Sequence, residues 1–141
     1  MPSHALAGAS IVIDTHTLIW ALLERVRLSA AADAAFQAAE LAGAPIYVCT
    51  ITFVELRYFV EKGKIRGNVY QECWDKLNDP ATVLAPEPLD LVIADRFTQI
   101  PRATVPDMPD RIIAATALTL GLPLITRDSN IRALTNITTI W

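Results

Sequence analysis

Four acidic residues stand where an apolar segment ends or a helical pattern begins: Asp14, Glu55, Asp110 and Asp128. If these carboxylates meet, they form an all-oxygen site of the kind that suits Mg²⁺ or Mn²⁺. A metal held in this way generates hydroxide from water and neutralises the charge that develops on a phosphodiester during hydrolysis. The chemistry that these residue types allow is therefore metal-dependent cleavage of a phosphodiester, provided that the fold brings them together.

The apolar segments between these residues predict a parallel sheet. We expect strands over 10–14, 46–49, 82–84, 124–126 and 137–140, separated by helices over 15–23, 30–42, 53–60, 68–77, 86–100 and 109–120. Short apolar strands that alternate with helices are typical of a three-layer α/β/α fold with a central parallel sheet of about five strands. The carboxyl ends of parallel strands lie at one edge of the sheet, which is where such folds bind ligands.

The predicted fold places the four acidic residues at that edge. Asp14 and Asp128 follow two of the strands, and Glu55 lies one turn into the helix after another. We expect the helix that opens at Asp110 to begin at the same edge. Neighbouring carboxylates repel each other by roughly 3–4 kcal/mol per close pair at an effective dielectric near 20, so a divalent cation is the expected partner.

Each acidic residue also has a purely structural explanation. Asp14 and Asp128 are suitable N-caps of the helices that follow them. The pattern Thr52-x-x-Glu55 fits a capping box, and Asp107 with Asp110 gives a similar helix-opening signature. For any one residue alone we favour capping, whereas four carboxylates at one edge favour a metal site.

Composition limits the remaining possibilities. The 141 residues predict one domain over 10–141, preceded by a disordered leader over 1–9. With 52% hydrophobic residues, 19% charged residues and a net charge of −3, the chain is neither disordered nor globally basic. Cys49 and Cys73 are too few for a disulfide framework, and we expect reduced, buried thiols in a cytoplasmic protein. No apolar run is long enough to span a bilayer, so no membrane partner is expected.

An acidic protein that binds RNA needs local positive charge in addition to a metal. The basic candidates for phosphate contacts are Lys62, Lys64, Arg66, Arg102, Arg111 and Arg127. The segment 62–66 is the best of them, although an ordinary solvated loop explains it equally well. His16 is either a proton shuttle or a packed structural residue, and we favour the structural role.

The sequence around these positions resembles a known family. The matching segments are Ile11-Val12-Ile13-Asp14-Thr15-His16, Thr52-Phe53-Val54-Glu55-Leu56, 107–117 and 121–128. Together they resemble a PIN domain and, more narrowly, the VapC-type toxins of bacterial toxin–antitoxin pairs. The resemblance implies a metal-dependent ribonuclease whose acidic quartet matches the residues named above. It also implies that Thr126 is a supporting hydroxyl and that Asp107 is an additional acid.

The family also implies two protein partners. The helices between Phe53 and Leu77 contact the antitoxin and a second toxin copy in the family, which leads us to expect a homodimer. Tyr58 and Trp74 are the candidate anchors for these contacts.

We therefore expect a Mg²⁺- or Mn²⁺-dependent endoribonuclease that is the toxin of a toxin–antitoxin pair. The alternatives are a housekeeping RNA-processing nuclease without an antitoxin and a non-catalytic PIN-fold binding module. The intact acidic quartet argues against the second of these. A phosphatase of the haloacid-dehalogenase type needs an Asp at the position of His16 and a late Lys, and no Lys follows Lys76.

Overall fold

Five parallel strands form the centre of the computed structural model, which describes residues 8–141. They are β1 (Ile11–Ile13), β2 (Ile46–Cys49), β3 (Leu84–Glu87), β4 (Leu124–Ile125) and β5 (Thr139–Ile140), in the order β3-β2-β1-β4-β5. This arrangement confirms the expected α/β/α fold. The leader expected over 1–9 lies outside the described residues except for its last two positions, and the single domain over 10–141 stays a prediction.

Helices cover both faces of the sheet. They are α1 (Thr15–Leu23), α2 (Ala30–Ala42), α3 (Ile51–Glu61), α4 (Gly67–Leu77), α5 (Leu91–Arg96), α6 (Met108–Leu120) and α7 (Ser129–Arg132), with short 3₁₀ turns at Arg25–Arg27 and Phe97–Gln99. Both α1 and α2 have the predicted bounds. Among residues 8–141 no helix is long and apolar enough to cross a membrane.

The central strand β1 contributes side chains to both layers because successive residues of a strand point to opposite faces. Ile11 and Ile13 pack in the core under α1, α2 and α4, whereas Val12 packs in the core under α6. All three side chains are at most 3% exposed. A strand buried on both faces fixes its own register firmly, and the residue that follows it is placed equally firmly.

Local signals explain where the helices of the first layer begin and end. The Ser29 side chain accepts a hydrogen bond of 3.0 Å from the Ala32 N–H and caps α2. Gly43 ends the same helix with a φ of 64°, in the left-handed region that favours glycine. These residues predict α2 without reference to the rest of the fold.

The segment after α4 differs from the prediction. The strand begins at Leu84 rather than at 82, and it includes Pro86, where a helix was expected to open. Proline is tolerated because β3 is an edge strand, whose outer side needs no N–H donor. Helix α5 starts only after Asp90, whose side chain accepts from the Ile93 N–H at 3.0 Å. The spacing of apolar residues in the predicted helix over 86–100 places Leu89 and Val92 on its inward face, but in the structure these side chains are 40% and 51% exposed.

Candidate metal centre

A cleft of about 480 Å³ opens at the carboxyl edge of the sheet, and all four predicted acidic residues line it. Its lining residues are Asp14, Thr15, His16, Trp20, Glu55, Phe59, Asp107, Asp110, Arg127 and Asp128. The order of the strands explains the position of the cleft, because β2 and β3 lie on one side of β1 and β4 and β5 lie on the other. A parallel sheet forms a crevice at such a switch point.

Asp14 is held by a backbone and a side-chain donor. It is the N-cap of α1, and its Oδ1 accepts a hydrogen bond of 2.9 Å from the Thr17 N–H. Its Oδ2 accepts from the Thr126 hydroxyl at 2.5 Å. The residue is only 6% exposed, and burial raises the pKa of its carboxyl, although the bonds from Thr126 and Thr17 oppose that rise. Asp14 therefore caps α1 and also contributes a carboxylate to the cleft.

Thr126 connects two of the predicted acidic residues. Its hydroxyl donates to Asp14 and accepts from the Asp128 N–H at 3.0 Å. Asp128 in turn caps α7, because its Oδ1 accepts from the Ile131 N–H at 2.9 Å. Thr126 is fully buried, so water does not compete for these bonds. A single hydroxyl thus links the ends of β1 and β4.

Glu55 is oriented by a relay of threonines rather than by a capping box. The Thr15 hydroxyl donates to Glu55 Oε1 at 2.6 Å and lies 3.0 Å from the Thr52 hydroxyl, which must then be the donor to Thr15. Helix α3 begins one residue before Thr52, and its N-cap, Thr50, makes no side-chain cap bond. The capping-box interpretation was therefore wrong. Burial raises the pKa of Glu55, as do the negative charges of Asp107 and Asp14.

Asp107 lies closer to the other acids than its expected supporting role suggested. It is the N-cap of α6, and its Oδ2 accepts from the Asp110 N–H at 3.1 Å. Glu55, Asp107 and Asp110 each offer a carboxylate oxygen, and these oxygens all lie within 4.8 Å of one another. Burial raises the pKa of Asp110 to about 8, and the surrounding carboxylates contribute to that rise.

The donor set of this cleft fits a hard divalent cation. Every candidate ligand is a carboxylate oxygen, and the cleft residues include neither a cysteine nor a cluster of histidines. None of the ion pairs within residues 8–141 involves the cleft carboxylates. Burial is the main cause of the raised pKa of Asp110, and the negative charges of the neighbouring carboxylates add to it.

The predicted phosphate-binding residues divide into two groups. Arg127 lines the cleft, and Lys62, Lys64, Arg66 and Arg102 are exposed. Arg111 does not join them. Its side chain is buried, donates from Nε to the Ile100 carbonyl at 3.1 Å and from a terminal nitrogen to the Phe97 carbonyl at 3.3 Å, and packs on the Phe97 ring. The prediction that Arg111 contacts phosphate was therefore wrong, because its side chain links α6 to the 3₁₀ turn at Phe97–Gln99.

Two features of the cleft are not predicted by the sequence. One is the role of Thr15, for which the only sequence signal was a hydroxyl directly after Asp14. The other is an aromatic contribution from Trp20 and Phe59, which sequence spacing assigns to helix packing. Both features depend on how α1 and α3 lie against each other.

The family model for the PIN domain matches residues 11–136, and the chain belongs to that family. The chain is 27% identical over 124 residues to Ribonuclease VapC22 of Mycobacterium tuberculosis (strain ATCC 25618 / H37Rv), with 88% of this chain and 91% of that protein covered.

Solved structures show the same fold. VapBC2 from Rickettsia felis, crystallised with a DNA fragment from its promoter, matches with a TM-score of 0.67 at 16% identity, covering 92% of this chain and 96% of the other. A toxin–antitoxin complex from Klebsiella pneumoniae matches with a TM-score of 0.60 at 24% identity, again covering 92% and 96%. The predicted PIN-like fold is thereby confirmed.

Proposed function

We propose that this protein is a metal-dependent endoribonuclease and the toxin of a toxin–antitoxin pair. The observation that carries the proposal is the meeting of the cleft carboxylates without an ion pair inside residues 8–141. The similarity to Ribonuclease VapC22 supports RNA as the substrate, and the similarity to toxin–antitoxin complexes supports the biological role.

The proposed metal ligands are the predicted quartet, with Mg²⁺ or Mn²⁺ as the ion: Asp14, Glu55, Asp110 and Asp128. The ion supplies a hydroxide nucleophile and charge neutralisation when it is bound. Thr126 holds the Asp14 carboxylate in one orientation, and Thr15 does the same for Glu55. Asp107 holds the first turn of α6 and adds a further carboxylate beside Asp110.

Positive side chains at the cleft are proposed to hold the RNA backbone. Arg127 lies in the cleft lining, and Lys62 and Lys64 extend from the end of α3. Arg66 and Arg102 are exposed and are proposed as more distant contacts. Because the net charge of the chain is −3, these local cations and the metal must offset a general repulsion of RNA. We place this activity in the cytoplasm.

The proposed antitoxin surface lies on the paired helices α3 and α4. Three large apolar side chains on these two helices, Val54, Tyr58 and Trp74, are 62%, 54% and 48% exposed. Trp74 is held by stacking on Tyr70 and by an edge contact with Phe53, with centroids 6.3 and 5.9 Å away. A rigid aromatic side chain is a typical anchor of an interface. The homodimer stays a prediction.

Two measurements test the nuclease. Purified protein should cleave a labelled RNA in the presence of Mn²⁺ or Mg²⁺, and EDTA should abolish cleavage. Independently of activity, millimolar Mn²⁺ should raise the melting temperature, because a cation that binds only the folded cluster stabilises it. The Asp14→Asn variant should lose both effects. Cleavage that continues in EDTA, or in Asp14→Asn, contradicts the mechanism.

The toxin role needs a separate test in cells. Expression of the protein should arrest growth, and expression of Asp14→Asn should not. Co-expression of the protein encoded by the reading frame next to its gene should restore growth. Tyr58→Ala with Trp74→Ala should keep the arrest but reduce the rescue. Normal growth on expression of an RNA-cleaving protein favours a housekeeping nuclease instead.

A further inference from the structure

Part of the cleft lining is aromatic. His16 lies between two other rings of the cleft lining, with its centroid 5.7 Å from that of Trp20 and 5.8 Å from that of Phe59, and Trp20 also contacts Trp141 outside the lining at 5.7 Å. A cation lies at each end of this aromatic row, which we define as Trp20, His16 and Phe59. The Arg127 guanidinium is 5.9 Å from the Trp20 ring centroid, and the Lys64 ammonium is 5.6 Å from the Phe59 ring centroid.

His16 is the member of the row that a ligand reaches most easily. Its side chain is exposed, whereas Phe59 is half-buried and Trp20 is only 9% exposed. Within the part of the chain that the structure describes, the imidazole makes no hydrogen bond, and neither Arg127 nor Lys64 forms an ion pair. The row therefore presents a supported, exposed ring with a cation free for a ligand at either end.

This combination matches the chemistry of an unpaired nucleotide. An aromatic face stacks on any base, and a neighbouring cation binds the phosphates on either side of it. A base inside a duplex is already stacked and paired, so only a single-stranded or looped segment of RNA offers its face to a protein ring. The carboxylates of the same cleft define where the phosphodiester would be cut.

We propose that the aromatic row is the subsite for an unpaired base beside the scissile phosphate, with His16 as the stacking surface. This inference rests on the proposed function, in which the cleft carboxylates would hold the metal needed for RNA cleavage. His16 is then a substrate-positioning residue, and its neighbours Trp20 and Phe59 hold its ring. If His16 were only a packing residue, RNA binding would not depend on the aromatic character of position 16.

The test measures RNA binding without cleavage. A fluorescent ten-nucleotide RNA pool of random sequence and an abasic oligomer of the same length are titrated with protein in Ca²⁺, and anisotropy is recorded. The variants are His16→Phe, which keeps an aromatic face, His16→Leu, which keeps an apolar side chain without one, and His16→Ala. Gln99→Ala, an exposed position outside the cleft lining, is the control, and melting curves check folding.

Wild type should bind the RNA pool more tightly than the abasic oligomer. His16→Leu and His16→Ala should weaken binding of the pool by about fivefold or more while leaving abasic binding unchanged, and His16→Phe should retain wild-type affinity. The proposal is overturned if the Leu and Ala variants bind as wild type does, if His16→Phe loses as much as they do, or if wild type binds neither oligomer. Base-dependent binding without cleavage in Mn²⁺ counts against the proposed nuclease and not against the base subsite.

Discussion

Replacing Asp110 with Asn should stabilise the metal-free protein while removing its function. Asp110 lies with Glu55 and Asp107 in a group whose nearest carboxylate oxygens are all within 4.8 Å. At this separation two negative charges repel by roughly 3–4 kcal/mol at an effective dielectric near 20, and by about 1 kcal/mol in bulk water. Because Asp107 is exposed and Asp110 is half-buried, the repulsion between them lies in the lower part of the range between these two values.

A smaller electrostatic effect reduces the expected gain in stability of Asp110→Asn. Asp110 lies in the first turn of α6, where a negative charge is favourable by about 0.5 kcal/mol, and Asn gives up that interaction. The backbone N–H of residue 110 still donates to Asp107, so the cap of α6 is retained. The net expectation at pH 8.5 is a gain of roughly 1–2 kcal/mol in the free energy of unfolding, or roughly 3–8 °C in melting temperature.

Urea denaturation in EDTA measures this gain directly. At pH 5 the folded wild-type Asp110 is protonated, because its pKa is raised to about 8, whereas the same carboxyl is ionised in the unfolded chain. The advantage of Asn should therefore be smaller at pH 5 than at pH 8.5 and should vanish only below about pH 4. Asp95→Asn removes an exposed carboxylate outside the cleft lining and should change stability by less than about 0.5 kcal/mol at either pH. In saturating Mn²⁺ the order should reverse, because the wild type gains more from the cation. An apo Asp110→Asn variant that is no more stable than the wild type at pH 8.5 refutes the repulsion argument.

The remaining predictions concern the two hydroxyls and the pH dependence. Thr126→Val keeps the side-chain shape but removes the hydrogen bond to Asp14 and leaves the Asp128 N–H without its acceptor. The free energy of unfolding, measured by urea denaturation, should therefore fall by about 2–3 kcal/mol. A loss below about 0.5 kcal/mol contradicts the proposed link between Asp14 and Asp128. Thr15→Val should weaken Mn²⁺ binding, measured by electron paramagnetic resonance, by about tenfold, and Thr15→Ser should restore it; equal affinities in both variants would mean that Thr15 does not orient Glu55. The pKa of Asp110 is about 8 in the folded protein and 3.8 in the unfolded chain, so between these pH values the folded state binds a proton that the unfolded state does not. The stabilisation from Asp110 is therefore complete below about pH 4 and is lost as the pH rises to 8. Metal-free protein should therefore unfold at lower urea at pH 8 than at pH 5, and Mn²⁺ should offset this loss at pH 8; a metal-free protein that is more stable at pH 8 contradicts the assignment.

Residue types and local spacing were enough to predict the elements that position the site. The apolar segment before Asp14, the Ser29 and Gly43 signals of α2 and the Asp107 cap of α6 act within a few residues of chain, and each is confirmed. The parallel sheet follows from the alternation of strands with helices. Once the sheet is parallel, the shared edge follows too, because parallel strands end on the same side.

Tertiary structure decided which side chain contacts which. The bond from Thr126 to Asp14 joins residues 112 positions apart, and the bond from Thr15 to Glu55 joins residues 40 apart. The pattern Thr52-x-x-Glu55 is consistent with a capping box, but α3 begins at Ile51 with Thr50 as its N-cap, and the Thr50 N–H pairs with the Glu87 carbonyl of the edge strand. The turn of Arg111 into the interior likewise depends on two carbonyls of a distant 3₁₀ turn.

The physical reason for this division is the range of the interactions involved. Caps, turns and strand periodicity are settled by neighbours along the chain, so the sequence alone determined that carboxylates stand at the ends of strands and the starts of helices. Helix rotation and strand register are settled by packing between elements. Only the folded structure therefore decided that Asp107 joins Glu55 and Asp110, and that His16 lies between Trp20 and Phe59 in the same cleft.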